Sequence, residues 1–187
     1  GTQFMGRLTV QALLRRGHHV TLITRGISAN PFLGHERVTV HRCDRMAERD
    51  HFRRILEAEP DGWDAAIDFI CFQPLILRDT LEALWQPGSG FKVGHYVFIS
   101  SDSVYWALKL PLGEAPLTEA DGVRFAPQEW EEHRRYCELT PHGRQQLAYG
   151  GAKLEAEELL AELGRSRGLA YSVLRLPDIF GAYDNIG

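Results

Sequence analysis

Residues 65–72, Ala65-Ala66-Ile67-Asp68-Phe69-Ile70-Cys71-Phe72, form an almost continuous apolar run. A strand with one face in water alternates polar and apolar side chains. A run this uniform is expected of a strand covered on both faces, as in a parallel sheet flanked by helices. Residues 95–100 (HYVFIS) read as a second buried strand and residues 169–176 (LAYSVLRL) as a third. Upstream, residues 19–24 (HVTLIT) are a short β-branched run, and residues 37–43 alternate through Val38 and Val40; both predict strands. Between these runs the periodicity changes. Met5, Leu8, Leu13 and Leu14 fall at helical spacing before Gly17, and Phe52, Ile55 and Leu56 mark a helix over 50–58. Residues 75–85 predict another helix and residues 147–163 a long one, while Pro87-Gly88-Ser89-Gly90 is a turn. Strands separated by helices predict an α/β fold with a doubly wound parallel sheet and right-handed crossovers.

Composition bounds what such a domain can do. The chain has 187 residues, enough for one domain with a core, and its 44% apolar and 25% charged content is that of an ordinary globular protein. A net charge of −4 gives no bulk attraction for a polyanion. Cys43, Cys71 and Cys137 lack metal-ligand spacing and are odd in number, so they read as buried, reduced thiols of an intracellular, reducing compartment. No apolar run is long enough to cross a membrane. The eight histidines show no pair with metal-ligand spacing on one helix face and read as surface or packing residues, so no metal is expected. The chain starts at Gly1-Thr2 without a methionine, and no strand precedes its first helix. The expectation is a fragment of a longer protein whose sheet lacks its first strand.

Chemistry concentrates in three places. Tyr149 and Lys153 are four residues apart, one turn apart on the same helix face. A fixed ammonium beside a phenol is expected to lower the phenol pKa from its usual ~10 and make a general acid or base. Ser100-Ser101, at the end of a strand about fifty residues upstream, can deliver a hydroxyl to the same oxygen. Gly1-Thr2-Gln3-Phe4-Met5-Gly6 opens directly into a helix, where backbone N–H groups and the positive helix end suit a diphosphate. Residues 106–146 interrupt the alternation with Pro, Glu, Arg and aromatic residues. They read as an excursion with short helical pieces at the carboxyl end of a strand, either over a ligand site or as a solvated insertion.

In this order, the motifs resemble the extended and atypical short-chain dehydrogenase/reductases, the group containing NAD-dependent epimerases and dehydratases. The resemblance spans nearly the whole chain: Gly1 to Gly6, Thr24-Arg25-Gly26, Cys43-Asp44-Arg45, Asp68-Phe69, Ser100-Ser101-Asp102-Ser103-Val104-Tyr105, Tyr149 with Lys153, and Arg175-Leu176-Pro177-Asp178-Ile179-Phe180-Gly181. The phosphate turn, with Gln3 where a middle glycine is usual, and the Thr-Arg-Gly ending look closest to the atypical branch that includes chloroplast stem-loop-binding proteins.

The resemblance implies a Rossmann-type NAD(P)-binding domain over 1–187, with the C-terminal substrate lobe absent. It implies Ser101, Tyr149 and Lys153 as catalytic residues. It implies dinucleotide contacts from Gly1, Thr2, Phe4, Met5 and Gly6 at the diphosphate, and from Thr24 and Arg25 at the adenosine ribose. Asp44 would meet the adenine amino group, Lys153 the nicotinamide ribose, and Leu176, Pro177 and Ile179 the nicotinamide ring; Arg45 and Ser100 are further cofactor-binding candidates, with Ser100 on the strand face opposite Ser101. An acid in place of Arg25 would bind the free 2′-hydroxyl of NAD, whereas arginine suits the 2′-phosphate; NADP(H) is therefore favoured over NAD(H). Asp178 reads as a turn cap. The activity implied is that of an epimerase, dehydratase or oxidoreductase acting on a sugar-nucleotide-like or polyol substrate. A non-catalytic RNA-binding or structural subunit of a large assembly is the competing reading, and a redox-sensing binder a third. Family members often pair through the helix carrying the Tyr/Lys pair, so the face made by Leu154, Leu159, Leu160 and Leu163 belongs either to a homodimer or to the core.

Overall fold

The structure, a computed structural model, describes residues 1–111 and 118–184. Helix α1 (Phe4–Arg15) leads, and Gly17 ends it with a positive φ of 85°. The His18 amide donates to the Leu13 carbonyl and the Gly17 amide to that of Leu14, the paired bonds of a left-handed glycine cap. Val10 of this helix packs with Leu22 and Phe32. Strand β1 (Val20–Thr24) lies parallel to β2 (Val38–Arg42), with Val20 opposite Val38 and Thr24 opposite Arg42. Helix α2 (Arg49–Glu57) follows, then β3 (Trp63–Asp68) and α3 (Pro74–Leu84).

A two-residue antiparallel hairpin, β4 (Trp85–Gln86) with β5 (Gly90–Phe91), surrounds the expected turn, and Trp85 meets Phe91 edge-on at 4.8 Å. Strand β6 (Val93–Ser101) leads through a 3-10 segment, Asp102–Ala107, toward α4 (Pro127–Glu138). Helix α5 (Pro141–Arg167) and β7 (Tyr171–Leu176) complete the order. Strands β3, β6 and β7 form one parallel sheet with β6 in the middle, and β1–β2 form another. Among the described residues the parallel sheet is therefore in two pieces.

One expectation is corrected. The run 65–72 is not one strand buried on both faces. It leaves the sheet at Asp68, Asp64 and Ala65 are exposed, and Ile70 and Phe72 are 51% and 55% exposed. Strand β3 pairs with β6 on one edge, and its other edge has no partner strand among the described residues. The sequence leaves the leucine face of α5 open between a homodimer and the core. Leu159, Leu160 and Leu163 pack in the main core with Leu77, Leu81 and Leu84 of α3 and Tyr96 and Phe98 of β6, and Leu154 joins Val104, Ala107, Leu108, Cys137 and Leu147. The choice between dimer and core is settled for these four residues: they are core.

The excursion is largely structured. Lys109 and Val123 form an isolated bridge, α4 packs against α5, and α5 begins at Pro141 with the Thr140 hydroxyl accepting from the Gly143 amide at 3.0 Å. Residues 112–117 of the excursion and Asn185-Ile186-Gly187 lie outside the described residues.

One glycine controls how α5 meets the end of β6. A Cβ on Gly150 would lie 1.8 Å from the Ser103 carbonyl oxygen, whereas a Cβ on Gly151 would meet nothing within 4 Å. Both are helical, so the two positions separate packing from propensity. Gly150→Ala is expected to destabilise by about 1–3 kcal/mol through overpacking, and Gly151→Ala to be neutral or to stabilise by up to about 1 kcal/mol. Urea denaturation of the two variants checks this contrast.

Candidate active site

Strand β6 ends in Ser101, whose side chain caps the 3-10 segment: the Ser103 amide donates to Ser101 Oγ at 3.1 Å. The Ser101 hydroxyl also lies 3.2 Å from Asp102 Oδ1 and 3.1 Å from Ser103 Oγ, and Ser103 in turn donates to Gln146 Oε1 on α5 at 2.8 Å. With Gly150 against the Ser103 carbonyl, these bonds fix α5 beside the strand end. Tyr149 is half-buried there, its ring 6.2 Å from that of Phe72. Burial pushes the Tyr149 phenol up, a hydrogen bond with Ser101 pulls it down, and the Asp102 charge adds to the rise; the net displacement is upward. Lys153, one turn on, is 2% exposed and donates from Nζ to the Ile99 carbonyl of β6 at 2.7 Å. Its ammonium faces the rings of Phe98, Phe72 and Tyr149 at 4.7, 5.3 and 5.8 Å.

Ser101, Tyr149 and Lys153 are thus brought together, but the expected electrostatics are not. Lys153 was expected to lower the Tyr149 phenol, yet that phenol is raised. The ammonium is bonded to a main-chain carbonyl, and desolvation of the phenol dominates. Burial also lowers the pKa of Lys153 itself, against the opposing pull of Cys71, Asp68 and Glu157. The Tyr149 phenol therefore holds its proton at neutral pH.

Two expected dinucleotide contacts are spent on the interior. The Ser100 hydroxyl is buried and donates to Glu157 Oε1 at 2.5 Å, and Arg175 forks onto both oxygens of the same carboxylate at 2.7–3.2 Å. Alternation along β6 turns Ser100 away from the face that presents Ser101. Arg45 likewise points inward, its Nη1 2.7 and 2.8 Å from the oxygens of Asp68 and its Nη2 2.8 Å from Thr80 Oγ1. The Tyr96 hydroxyl donates to the same carboxylate at 2.7 Å. An arginine so engaged has no free guanidinium edge for a dinucleotide. Cys71, buried next to this pair, has its thiol pushed up to about 11, chiefly by desolvation. Sequence reasoning missed Glu157 as the partner of Ser100 and Arg175; its one signal was the i+4 spacing from Lys153 on the same helix face. All three cysteines are buried and free.

On the other side, α1 starts at Phe4 without a side-chain cap, and Phe4 has a φ of 40°, a conformation that non-glycine residues rarely adopt. A Cβ on Gly6 would lie 2.8 Å from the Gly1 Cα, so the close backbone approach of this turn requires glycine at position 6, whereas one on Gly1 would meet the movable end of the Leu22 side chain at 2.5 Å. Met5 sits in the first turn of the helix, its carbonyl accepting from Thr9 Oγ1 at 2.9 Å, and Thr2 in the turn before it. Thr24 ends β1, its Oγ1 accepting from the Gly26 amide at 3.2 Å, and Arg25 follows it into a cleft of about 430 Å³ that Asp44 also lines. Leu176 ends β7 opposite Ser101, and Pro177 and Ile179 follow it. Arg7 stacks on the Tyr183 ring at 3.8 Å, so the chain beyond β7 reaches back to α1.

Although the sequence showed no metal-ligand spacing, the fold brings donor atoms of Cys43, Glu48 and His51 within 4.8 Å of one another. Their internal contacts are ordinary: Glu48 Oε2 accepts from the Asp44 amide at 2.7 Å, and His51 Nδ1 lies 4.0 Å from Oε1.

No protein-family model matches the chain, and no curated protein does. Solved structures do. UDP-glucose 4-epimerase from Thermotoga maritima, solved with UDP-glucose, superposes with a TM-score of 0.68 at 17% identity, over 100% of this chain and 57% of its own. An epimerase from Methanothermobacter thermautotrophicus gives 0.67 at 15%, over 99% and 53%. UDP-glucuronic acid 4-epimerase from Bacillus cereus, solved with UDP-glucuronic acid and NAD, gives 0.59 at 18%, over 93% and 53%. The fold is the Rossmann-type fold of these epimerases. The chain spans little more than half the length of each. No helix among the described residues is long and apolar enough to cross a membrane.

The phenol is open to a direct test. The ultraviolet phenolate difference between wild type and Tyr149→Phe is expected to appear only above the ordinary tyrosine range of ~10, because burial outweighs the Ser101 bond. A difference appearing below that range would show that Lys153 governs the phenol after all.

Proposed function

We infer that this chain carries the dinucleotide-binding part of a nicotinamide-dependent enzyme, an epimerase/dehydratase or oxidoreductase acting on a sugar-nucleotide-like or polyol substrate. The observation that carries this reading is the packing of Gly150 on the Ser103 carbonyl, which seats Tyr149 against Ser101 while Lys153 stays locked to β6. A pure scaffold has no chemical need of Ser101, Tyr149 and Lys153 together. The residues fit a dinucleotide: the Gly1–Gly6 turn leaves no room for a Cβ at Gly6, the amino end of α1 has no side-chain cap, and Arg25 opens into a cleft.

When bound, a nicotinamide would supply hydride transfer. In this chain Gly1, Thr2, Phe4, Met5 and Gly6 would hold the diphosphate, Thr24, Arg25 and Asp44 the adenosine end, and Leu176, Pro177 and Ile179 the nicotinamide end. NADP(H) is favoured over NAD(H) because Arg25 stands where an acid would receive a free ribose hydroxyl. Ser101 donates a hydrogen bond to the reacting substrate oxygen and orients it. Tyr149 gives that oxygen its proton when a carbonyl is reduced and takes it back when an alcohol is oxidised. Lys153 keeps two N–H donors beyond its bond to Ile99, suited to ribose hydroxyls. The UDP-sugar epimerases with the same fold make a UDP-sugar the first substrate class to try. The likeness to the stem-loop-binding branch rests on the phosphate turn and on Thr24-Arg25-Gly26.

The test uses the full-length protein. Calorimetric titration is expected to show NADP(H) binding, and a UDP-sugar panel is expected to show turnover. Tyr149→Phe should then lower kcat by roughly 10²–10⁴-fold with dinucleotide affinity nearly unchanged. Binding of neither dinucleotide would overturn the enzyme reading and point to RNA or partner subunits.

A further inference from the structure

Away from the Ser101–Tyr149 pair, the turn that leads from β2 into α2 gathers a thiol, a carboxylate and an imidazole. The ligand atoms of Cys43, Glu48 and His51 all lie within 4.8 Å of one another. Cys43 is the fixed corner. It is 3% exposed, its amide donates to the Thr24 carbonyl at 2.8 Å, and its thiol is directed at the Glu48 carbonyl, 3.8 Å away. Glu48 is the N-cap residue of α2 and His51 stands three residues on, so both side chains leave the same side of the first turn. These two side chains are 51% and 44% exposed, and His51 Nδ1 lies 4.0 Å from Glu48 Oε1.

The Glu48 carboxylate is already oriented. Its Oε2 accepts from the Asp44 amide at 2.7 Å, which leaves Oε1 on the side of His51. A hydrogen bond on the second oxygen is the usual way a ligand carboxylate is aimed at a metal. No lysine or arginine pairs with Glu48 among the described residues, although Arg25 and Arg42 line the same cleft. A tetrahedral zinc ion, with bonds of about 2.0–2.3 Å, spaces its ligand atoms about 3.3–3.7 Å apart. The donors stand open by about 1 Å relative to that spacing. Rotation of the two half-exposed side chains toward the fixed sulfur closes the gap. Thiolate, imidazole and carboxylate together suit zinc and its neighbours, whereas magnesium and calcium prefer oxygen alone.

We propose that Cys43, Glu48 and His51 bind a divalent transition-metal ion of the zinc class, with water in the fourth position. As the metal–sulfur bond forms, the Cys43 thiol gives its proton to solvent. The ion joins the exit of β2 to the first turn of α2 and fastens the segment that carries Asp44 and Arg45. Arg45 is the residue that reaches Asp68 in the other sheet, so the role of the metal is structural. The proposal does not use the dinucleotide reading. Local spacing hides the site, because Cys43 belongs to a strand end and Glu48 and His51 to a helix start, and they meet only when the turn between them folds.

The experiment strips the full-length protein with a chelator and titrates it with Zn²⁺, Co²⁺ and Mg²⁺, beside Cys43→Ser, Glu48→Gln and His51→Gln. Glu48→Gln keeps an acceptor for the Asp44 amide, and the His51 side chain is half-exposed, so losses in these two variants report the ligand and not the fold. Circular dichroism checks the buried Cys43→Ser. Wild type is expected to bind about one Zn²⁺ per chain, with no competition from Mg²⁺. Co²⁺ is expected to give a near-ultraviolet thiolate-to-metal band that Cys43→Ser removes. Zn²⁺ at about a hundred-fold excess over its Kd should raise the unfolding temperature by roughly 5 °C. Each variant should weaken Zn²⁺ by roughly ten- to hundred-fold or more, since loss of an outer partner alone costs that much. Failure of wild type to bind Zn²⁺ overturns the site. So does a cobalt band that survives Cys43→Ser, which would move the metal to Cys71 or Cys137, or an affinity unchanged by His51→Gln. None of these outcomes bears on the enzyme reading, which the dinucleotide titration tests by itself.

Discussion

The ion pair of Arg45 with Asp68 joins two parts of the fold that no backbone hydrogen bond connects. Arg45 comes from the exit of β2 and Asp68 from the end of β3, so the pair spans the break between the two parallel sheets. Tyr96 of β6 donates to the Asp68 carboxylate and Thr80 of α3 accepts from Arg45 Nη2, which offsets part of the desolvation of the pair, while Arg45 Nε is buried without a partner. Removing one partner would leave the other charge buried, a cost of about 3–5 kcal/mol and a large share of a typical domain's stability. Apolar support across the break is thinner: Ile23 and Phe52 touch the main core from the β1–β2 side. The interior charges thus fix the relation between the two ligand-facing strand ends, and the site inherits its geometry from them.

A second buried pair plays the same part nearer the chemistry. Glu157 receives Ser100 and Arg175, and so ties α5 to the middle and edge strands of the β3–β6–β7 sheet just below Ser101 and Leu176. Lys153 adds a third tie to β6. Helix α5 therefore cannot slide along the sheet without breaking three polar contacts and driving Gly150 away from the Ser103 carbonyl. For the proposed role of Tyr149 in proton transfer, this rigidity matters more than a change in phenol acidity, because proton transfer requires hydrogen-bond reach.

The sequence showed most of this fold. The β-branched and apolar runs located every long strand, and the glycine-rich opening, Ser101, Tyr149 and Lys153 fell where the order of elements required. What it could not show were pairings between residues distant along the chain. Arg45 and Ser100 looked like ligand contacts because their types and positions suit a dinucleotide. Asp68 and Glu157, 23 and 57 residues away, claim them instead. Local periodicity carries no information about such partners. The reading of residues 65–72 failed for a related reason: an apolar run reports an apolar environment without saying that the strand ends at Asp68 and a loop continues. The leucine face of α5 was ambiguous because a helix stripe looks the same whether it meets a sheet or a second protomer.

The arrangement of cations follows one logic. The chain is acidic overall, with 25 carboxylate residues against 21 lysines and arginines. Inside, that supply is used: Arg45 has Asp68, and Arg175 has Glu157. On the surface, Arg49, Arg53, Arg124, Arg134 and Arg167 also hold acids. Arg25 and Arg42 share a cleft with Asp44 and Glu48, whose carboxylates accept from the backbone amides of Met46, Ala47 and Asp44 in the turn before α2. Surface ion pairs contribute little to stability, so the fold rests on the interior pairs and not on these exposed charges.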